Sequence, residues 1–209
     1  MTSVLDLAPV IPVVVIEDAA DAVPLARALV AGGLPAIEVT LRTPAALDAI
    51  RAIAAEVPEA TVGAGTVIST ANVAAAVSAG SRFLVSPGWT EQLLESMKDS
   101  GQPFLPGVST VSEVVNLLER GVSEMKFFPA EAAGGTAYLK SLAGPLPQAR
   151  FCPTGGISRM SAPAYLALPN VGCVGGTWML PPDAIATKNW SRIESLAAEA
   201  STLTAPATA

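Results

Sequence analysis

The sequence predicts a single-domain (β/α)8 barrel, and three observations carry that expectation. Eight short apolar runs alternate with amphipathic stretches at a spacing of roughly 20 to 25 residues. Eight strands that each hand over to a helix imply a parallel sheet, and eight is the number that closes into a barrel. Polar and special residues gather at the C-terminal ends of the runs, where such barrels carry their chemistry. An open doubly wound sheet is the competing fold, but no glycine-rich dinucleotide turn follows the first run.

In chain order the strand candidates are "VIPVVVI" (10–16), "AIEVTL" (36–41), "TVGAGTV" (61–67) and "RFLVSPG" (82–88). "PFLPGVS" (103–109), "EMKFFPA" (124–130), "RFCPTGG" (150–156) and "VGCVGGTW" (171–178) complete the eight. Between them, "TPAALDAIRAIAAEV" (43–57) reads as a helix opened by a Thr43 cap with Pro44 in its first turn. "STANVAAAVSAG" (69–80) closes on Gly80, whose freedom at positive φ suits a helix end. "TVSEVVNLLERG" (110–121) carries a capping box, Thr110 with Glu113, and ends on Gly121. Residues 200–209 read as a loose tail, and no linker divides the rest.

Composition bounds the function. With 51% hydrophobic residues the 209-residue chain can bury a large core, yet no apolar run is long enough to span a membrane. The N-terminus has no basic stretch before its apolar run, so the protein is expected to be cytoplasmic rather than secreted. A net charge of -6 without any basic cluster argues against nucleic acid and anionic membranes as partners. Cys152 and Cys173 sit in apolar surroundings and read as buried, reduced thiols, with a disulfide left open. The chain has no histidine, which removes Ser-His triads, Cys-His dyads and histidine-rich metal sites together.

What remains for chemistry is Lys, Glu, Arg, hydroxyls and backbone amides. Lys126 stands in "EMKFFPAE", where strand alternation puts it on one face with Phe128, opposite Met125 and Phe127. Lys98, Lys140 and Lys188 fall on helices or in a loop. A buried Lys126 could form a structural ion pair across the barrel with Glu38. It could equally be a Schiff-base lysine, since burial disfavours the charged form and the neutral amine is the one that attacks a carbonyl. In "AIEVTLR", Glu38 and Arg42 lie about 13 Å apart along the strand, too far for a direct pair. Glu38 is thereby free to move protons and Arg42 to clamp an oxyanion at the rim. "TGGIS" (154–158) and "VGGTW" (174–178) end the last two strands, whose loops commonly hold phosphate in barrels.

Taken together, "EVTLRT", "VGAGTV", "SPG", "PGVSTVSE", "KFFPAE", "FCPTGGIS" and "GGTWML" resemble the 2-keto-3-deoxy-6-phosphogluconate (KDPG) and 4-hydroxy-2-oxoglutarate (KHG) aldolase family. The likeness runs in one order from about residue 10 to residue 195. It implies a class I aldolase of the Entner–Doudoroff pathway: a cytoplasmic homotrimer without metal or cofactor, cleaving KDPG to pyruvate and glyceraldehyde 3-phosphate. By that resemblance Lys126 is the Schiff-base lysine and Glu38 the general acid and base. Arg42, Thr66 and Thr154 would surround the pyruvate carboxylate, and Pro87 and Phe128 would shape the pocket. Gly155, Gly156, Gly176 and Thr177 would hold the phosphate. One departure is Thr177, where the family often has serine. Cleavage of 4-hydroxy-2-oxoglutarate or of a galactonate-derived epimer, and a non-catalytic barrel binding a phosphorylated sugar acid, are the rival readings.

Overall fold

Residues 3–203 are described by the structure, a computed structural model. The first half runs β1 (Val10–Val14), α1 (Ala22–Ala31), β2 (Ala36–Thr40), α2 (Ala46–Glu56), β3 (Thr61–Gly65), α3 (Thr70–Ser78), β4 (Leu84–Val85) and α4 (Glu91–Asp99). The second runs β5 (Phe104–Leu105), β6 (Gly107–Val108), α5 (Val111–Glu119), β7 (Glu124–Phe127), α6 (Gly135–Leu142), β8 (Arg150–Pro153), α7 (Ala162–Leu166) and β9 (Val174–Gly176). Helices α8 (Pro182–Ala186) and α9 (Trp190–Ser201) finish the chain. Every paired strand is parallel.

The expected fifth strand is divided. Pro106 has no N–H to donate, so the ladder breaks there. Residues before it pair with β4, and residues after it pair with β7. The result is a six-stranded sheet, β5-β4-β3-β2-β1-β9, and a three-stranded one, β6-β7-β8. Bridges Phe151↔Val171 and Thr154↔Gly175 join β8 to β9 and close the barrel.

Local chemistry explains most helix boundaries. Ser69 accepts from Asn72 N at 3.1 Å to start α3, and Thr90 accepts from Leu93 N at 3.2 Å to start α4. Thr110 and Glu113 form the expected reciprocal box at α5. Gly80 and Gly121, at φ 94° and 75°, follow the ends of α3 and α5 as predicted. The expected Thr43 cap is not made. Helix α2 begins only at Ala46, without a side-chain cap, while the Thr43 hydroxyl donates to the Ile16 carbonyl beyond β1. A tertiary acceptor left open at the strand end outcompetes the helix's own N–H groups.

Packing follows the periodicity. Ala46, Ala49, Ile50 and Ile53 lie on one stripe of α2 and are fully buried against the sheet. Inside the barrel, Ile11, Phe83, Val85, Leu105, Cys152 and Cys173 form a second cluster, plugged from the N-terminal side by Val4 and Leu5. Both cysteines are free thiols there. A hydrogen bond with Cys152, together with burial, pushes the Cys173 thiol well above its ordinary pKa, so it stays protonated and inert. Helix α9 carries the chain into the stretch expected to be loose: Ala200 is buried and Leu203 packs on the core. The rest of that expected tail, 204–209, lies outside the described residues. No helix among the described residues is long and apolar enough to cross a membrane.

Candidate active site

Strands β2 and β7 face each other across the barrel and bring together two residues 88 positions apart. Lys126 Nζ donates to Glu38 Oε1 at 3.2 Å, with side chains only 5% and 3% exposed. The strands flanking β7 set small residues beside the lysine, since Lys126 aligns with Gly107 on one side and Cys152 on the other. Nζ also lies over the Phe128 ring, 5.3 Å from its centre, as expected for residues sharing a strand face. Glu38 in turn leans over Gly65 of β3, and a Cβ at that position would overlap its carboxylate. Room for the acid is therefore supplied by a residue that looks inert in the sequence.

Above this pair lies a pocket of about 140 Å³ whose wall includes Arg42, Phe128, Thr154, Gly155, Gly156, Gly176 and Thr177. Seven of the residues expected at the site meet here. Lys126, Glu38, Thr66 and Pro87 do not line the wall. Thr66 holds Arg42 from behind, accepting from Nε at 3.0 Å, and does so in the left-handed region at φ 57°. A β-branched residue in that region costs about 1 to 3 kcal/mol and marks a place where position matters more than comfort. Pro87 instead abuts Gly107, whose missing side chain leaves room for the Pro87 carbonyl. Val13, Ile157 and Gly175 also line the pocket and were not foreseen as site residues. Gly175 is needed because the Thr154 hydroxyl occupies the place its Cβ would take.

The rim suits an anion. Among the described residues Arg42 has no carboxylate partner within 4.0 Å, although the chain is net acidic. Gly155 and Gly156 are consecutive left-handed residues, at φ 107° and 80°, a conformation L side chains rarely adopt. Two such residues in succession make a tight turn that glycine alone forms without strain. A larger groove of about 500 Å³ lies across Val13 and Thr177, but Arg42, Phe128 and the glycine turn take no part in its wall. The smaller pocket is the one lined by Arg42, the glycine turn and Phe128, the ring that Lys126 Nζ approaches to 5.3 Å. Among the described residues no three of His, Cys, Asp or Glu converge, so no residue set is assigned to a metal.

The family model described as KDPG and KHG aldolase matches residues 1–196. The KHG/KDPG aldolase of Escherichia coli is 52% identical over 198 residues, covering 95% of this chain and 93% of its own. A KDPG aldolase from Legionella pneumophila, captured with pyruvate as a covalent carbinolamine, superposes with TM-score 0.92 at 48% identity. That alignment covers 95% of this chain and 96% of the other. The KDPG aldolase of Zymomonas mobilis with 3-phosphoglycerate gives TM-score 0.90 at 49% identity, covering 98% and 96%. This chain belongs to the KDPG and KHG aldolase family.

Proposed function

We propose that the protein is a single-domain class I aldolase that cleaves KDPG to pyruvate and glyceraldehyde 3-phosphate, with Lys126 as nucleophile and Glu38 as proton carrier. The observation that carries this is the buried 3.2 Å hydrogen bond between the two, beside the Phe128 ring that also lines the pocket with Arg42 and the glycine turn. One proton moved along that bond converts the pair into a neutral amine beside a carboxylic acid. The amine attacks the C2 ketone, and the acid assists loss of water from the carbinolamine to give the iminium. Glu38, through a water, then takes the C4 hydroxyl proton. The C3–C4 bond breaks, its electron pair passes into the iminium, and the aldehyde leaves. Glu38 returns the proton to C3 of the enamine, and hydrolysis frees pyruvate and the lysine.

Arg42, held by Thr66, and the Thr154 hydroxyl would hold the pyruvate carboxylate, with Pro87 and Phe128 shaping the floor. The Gly155–Gly156 turn, Gly176 and Thr177 would take the phosphate. The Legionella carbinolamine and the Zymomonas complex support the two halves of this reading. Borohydride reduction in the presence of pyruvate tests it directly. A lactyl adduct on the peptide containing Lys126 is the expected result, and an unmodified protein would leave only a binding role.

Two substitutions separate the parts of the site. Thr177→Val keeps the shape and removes one donor to the phosphate, worth about 10 to 150-fold for a bond to a charged group. Thr177 is exposed, so solvent screening puts the expected loss in kcat/KM for KDPG near tenfold. Cleavage of unphosphorylated 4-hydroxy-2-oxoglutarate should barely change, and equal losses on both substrates would place the phosphate elsewhere. The same comparison decides between KDPG and KHG cleavage as the principal activity. Gly65→Ala pushes the Glu38 carboxylate out of its place. Misplacement by about 1 Å costs about 10²-fold, so deuterium exchange at the pyruvate methyl should slow by that factor while borohydride trapping persists. Exchange at the wild-type rate would show that Glu38 needs no such room.

The reading extends to a cytoplasmic homotrimer. Val111 and Val115, one turn apart on α5, are exposed apolar side chains of the kind a subunit interface covers. A sedimentation mass of one protomer would reject the trimer.

A further inference from the structure

The motif "KFFPAE" ends in Glu131, a carboxylate that the mechanism above does not use. It nonetheless sits where three elements meet. The Ala130 and Glu131 N–H groups donate to the Thr154 and Gly155 carbonyls at 2.8 and 3.1 Å, which fastens the segment after β7 to the glycine turn after β8. The Glu131 side chain lies directly beneath that turn. A Cβ on Gly156 would come within 2.7 Å of its Cγ and 2.8 Å of its Cβ. Oε1 accepts a hydrogen bond from the Tyr165 hydroxyl at 2.9 Å. Tyr165 belongs to α7, the helix entered from the glycine turn, and is among the largest fully buried side chains.

The electrostatics of this corner are otherwise hard to account for. No cation lies within 4.0 Å of Glu131 among the described residues, and the nearby basic residue of the loop, Arg159, pairs with Glu199 instead. A carboxylate without a counter-charge, next to a turn read as a phosphate cradle, would repel what that cradle holds. The phenol supplies the alternative partner. Burial and the neighbouring carboxylate both push the Tyr165 pKa up, so the hydroxyl remains a donor throughout the physiological range.

We propose that Glu131 and Tyr165 form a positioning pair, which braces the Gly155–Gly156 turn from below and draws the carboxylate away from the substrate phosphate. The inference rests on the reading of that turn as the phosphate cradle. Neither residue touches the substrate; both act through the backbone of the turn. In Glu131→Ala the turn loses its support, and KM for KDPG should rise about tenfold with kcat within about threefold of wild type. Exchange at the pyruvate methyl, which needs no phosphate, should be retained. Glu131→Gln keeps both the packing under Gly156 and an oxygen for the phenol, so its KM should return to within about threefold of wild type. Tyr165→Phe removes only the bond and keeps the packing, so its KM should rise in the same direction but less than in Glu131→Ala. The double variant should be no worse than Glu131→Ala, since the bond can be lost only once.

Three results would overturn the proposal. One is an unchanged KM for KDPG in Glu131→Ala or Tyr165→Phe, and another is failure of Glu131→Gln to recover it. The third is an equal loss on KDPG and on 4-hydroxy-2-oxoglutarate, the mark of a merely structural defect. Thr177→Val, measured alongside, separates this inference from its premise. A phosphate-specific loss there, with none in Glu131→Ala, removes the brace and keeps the cradle. No phosphate-specific loss in either variant removes both.

Discussion

Lys126→Met should show no measurable retro-aldol turnover and no borohydride-trapped adduct, while its circular dichroism remains that of a folded barrel. Met fills a similar volume without an amine, so the covalent route disappears at its first step. The variant has a cost in stability that follows from the geometry. Removing one partner of a buried pair is destabilising by about 3 to 5 kcal/mol, because the other charge is left without compensation. Glu38 is 3% exposed and would be that charge. Native domains hold about 5 to 15 kcal/mol in reserve, so the barrel should survive with a lowered Tm. Adding Glu38→Gln should restore part of that Tm without restoring any turnover. Substantial turnover in the single variant would end the Schiff-base assignment.

Glu38→Gln alone should divide the reaction. The amide keeps an oxygen within reach of Nζ, so pyruvate should still be trapped on Lys126 by borohydride. Proton transfer is what the amide cannot perform. Deuterium exchange at the pyruvate methyl, followed by NMR, should slow by about 10² to 10⁴-fold, the usual worth of a positioned acid or base. KDPG cleavage should fall with it, since the same group takes the C4 hydroxyl proton. An unchanged exchange rate would assign the proton to another group, and Glu38 would then be only the counter-charge of Lys126.

These expectations began from patterns that are local. The 3.6-residue period of 43–57 and the alternation in "EMKFF" report which face of each element is apolar, because burial acts on every element in the same way. Alternation also sufficed to place Lys126 and Phe128 on one side of β7. Where a local rule competed with a distant partner, it failed. Thr43 had the chemistry of a cap, but the Ile16 carbonyl beyond β1 was the acceptor in greater need. Gly65 and Gly107 gave no signal, and Gly175 was marked only as half of a glycine pair, since a glycine is silent about whose side chain it makes room for. Glu131 was visible within its motif but had no role until Tyr165, 34 positions later, arrived beside it.

By itself the sequence determined the order of the strands (though not the division of the fifth at Pro106), the end of the barrel expected to carry the chemistry, and the residue types available there. Those properties depend on hydrophobic period, turn residues and composition, which act over a few residues at a time. It left open whether Glu38 would meet Lys126, and it did not show that the pair would be buried to within a few per cent of exposure. Only the tertiary structure decided that. The distance across a barrel is set by closure of all its strands at once, and by which neighbours lack a side chain at the point of contact. The 3.2 Å bond between Glu38 and Lys126 is a property of that closure, with Gly65 leaving the space in which the carboxylate lies.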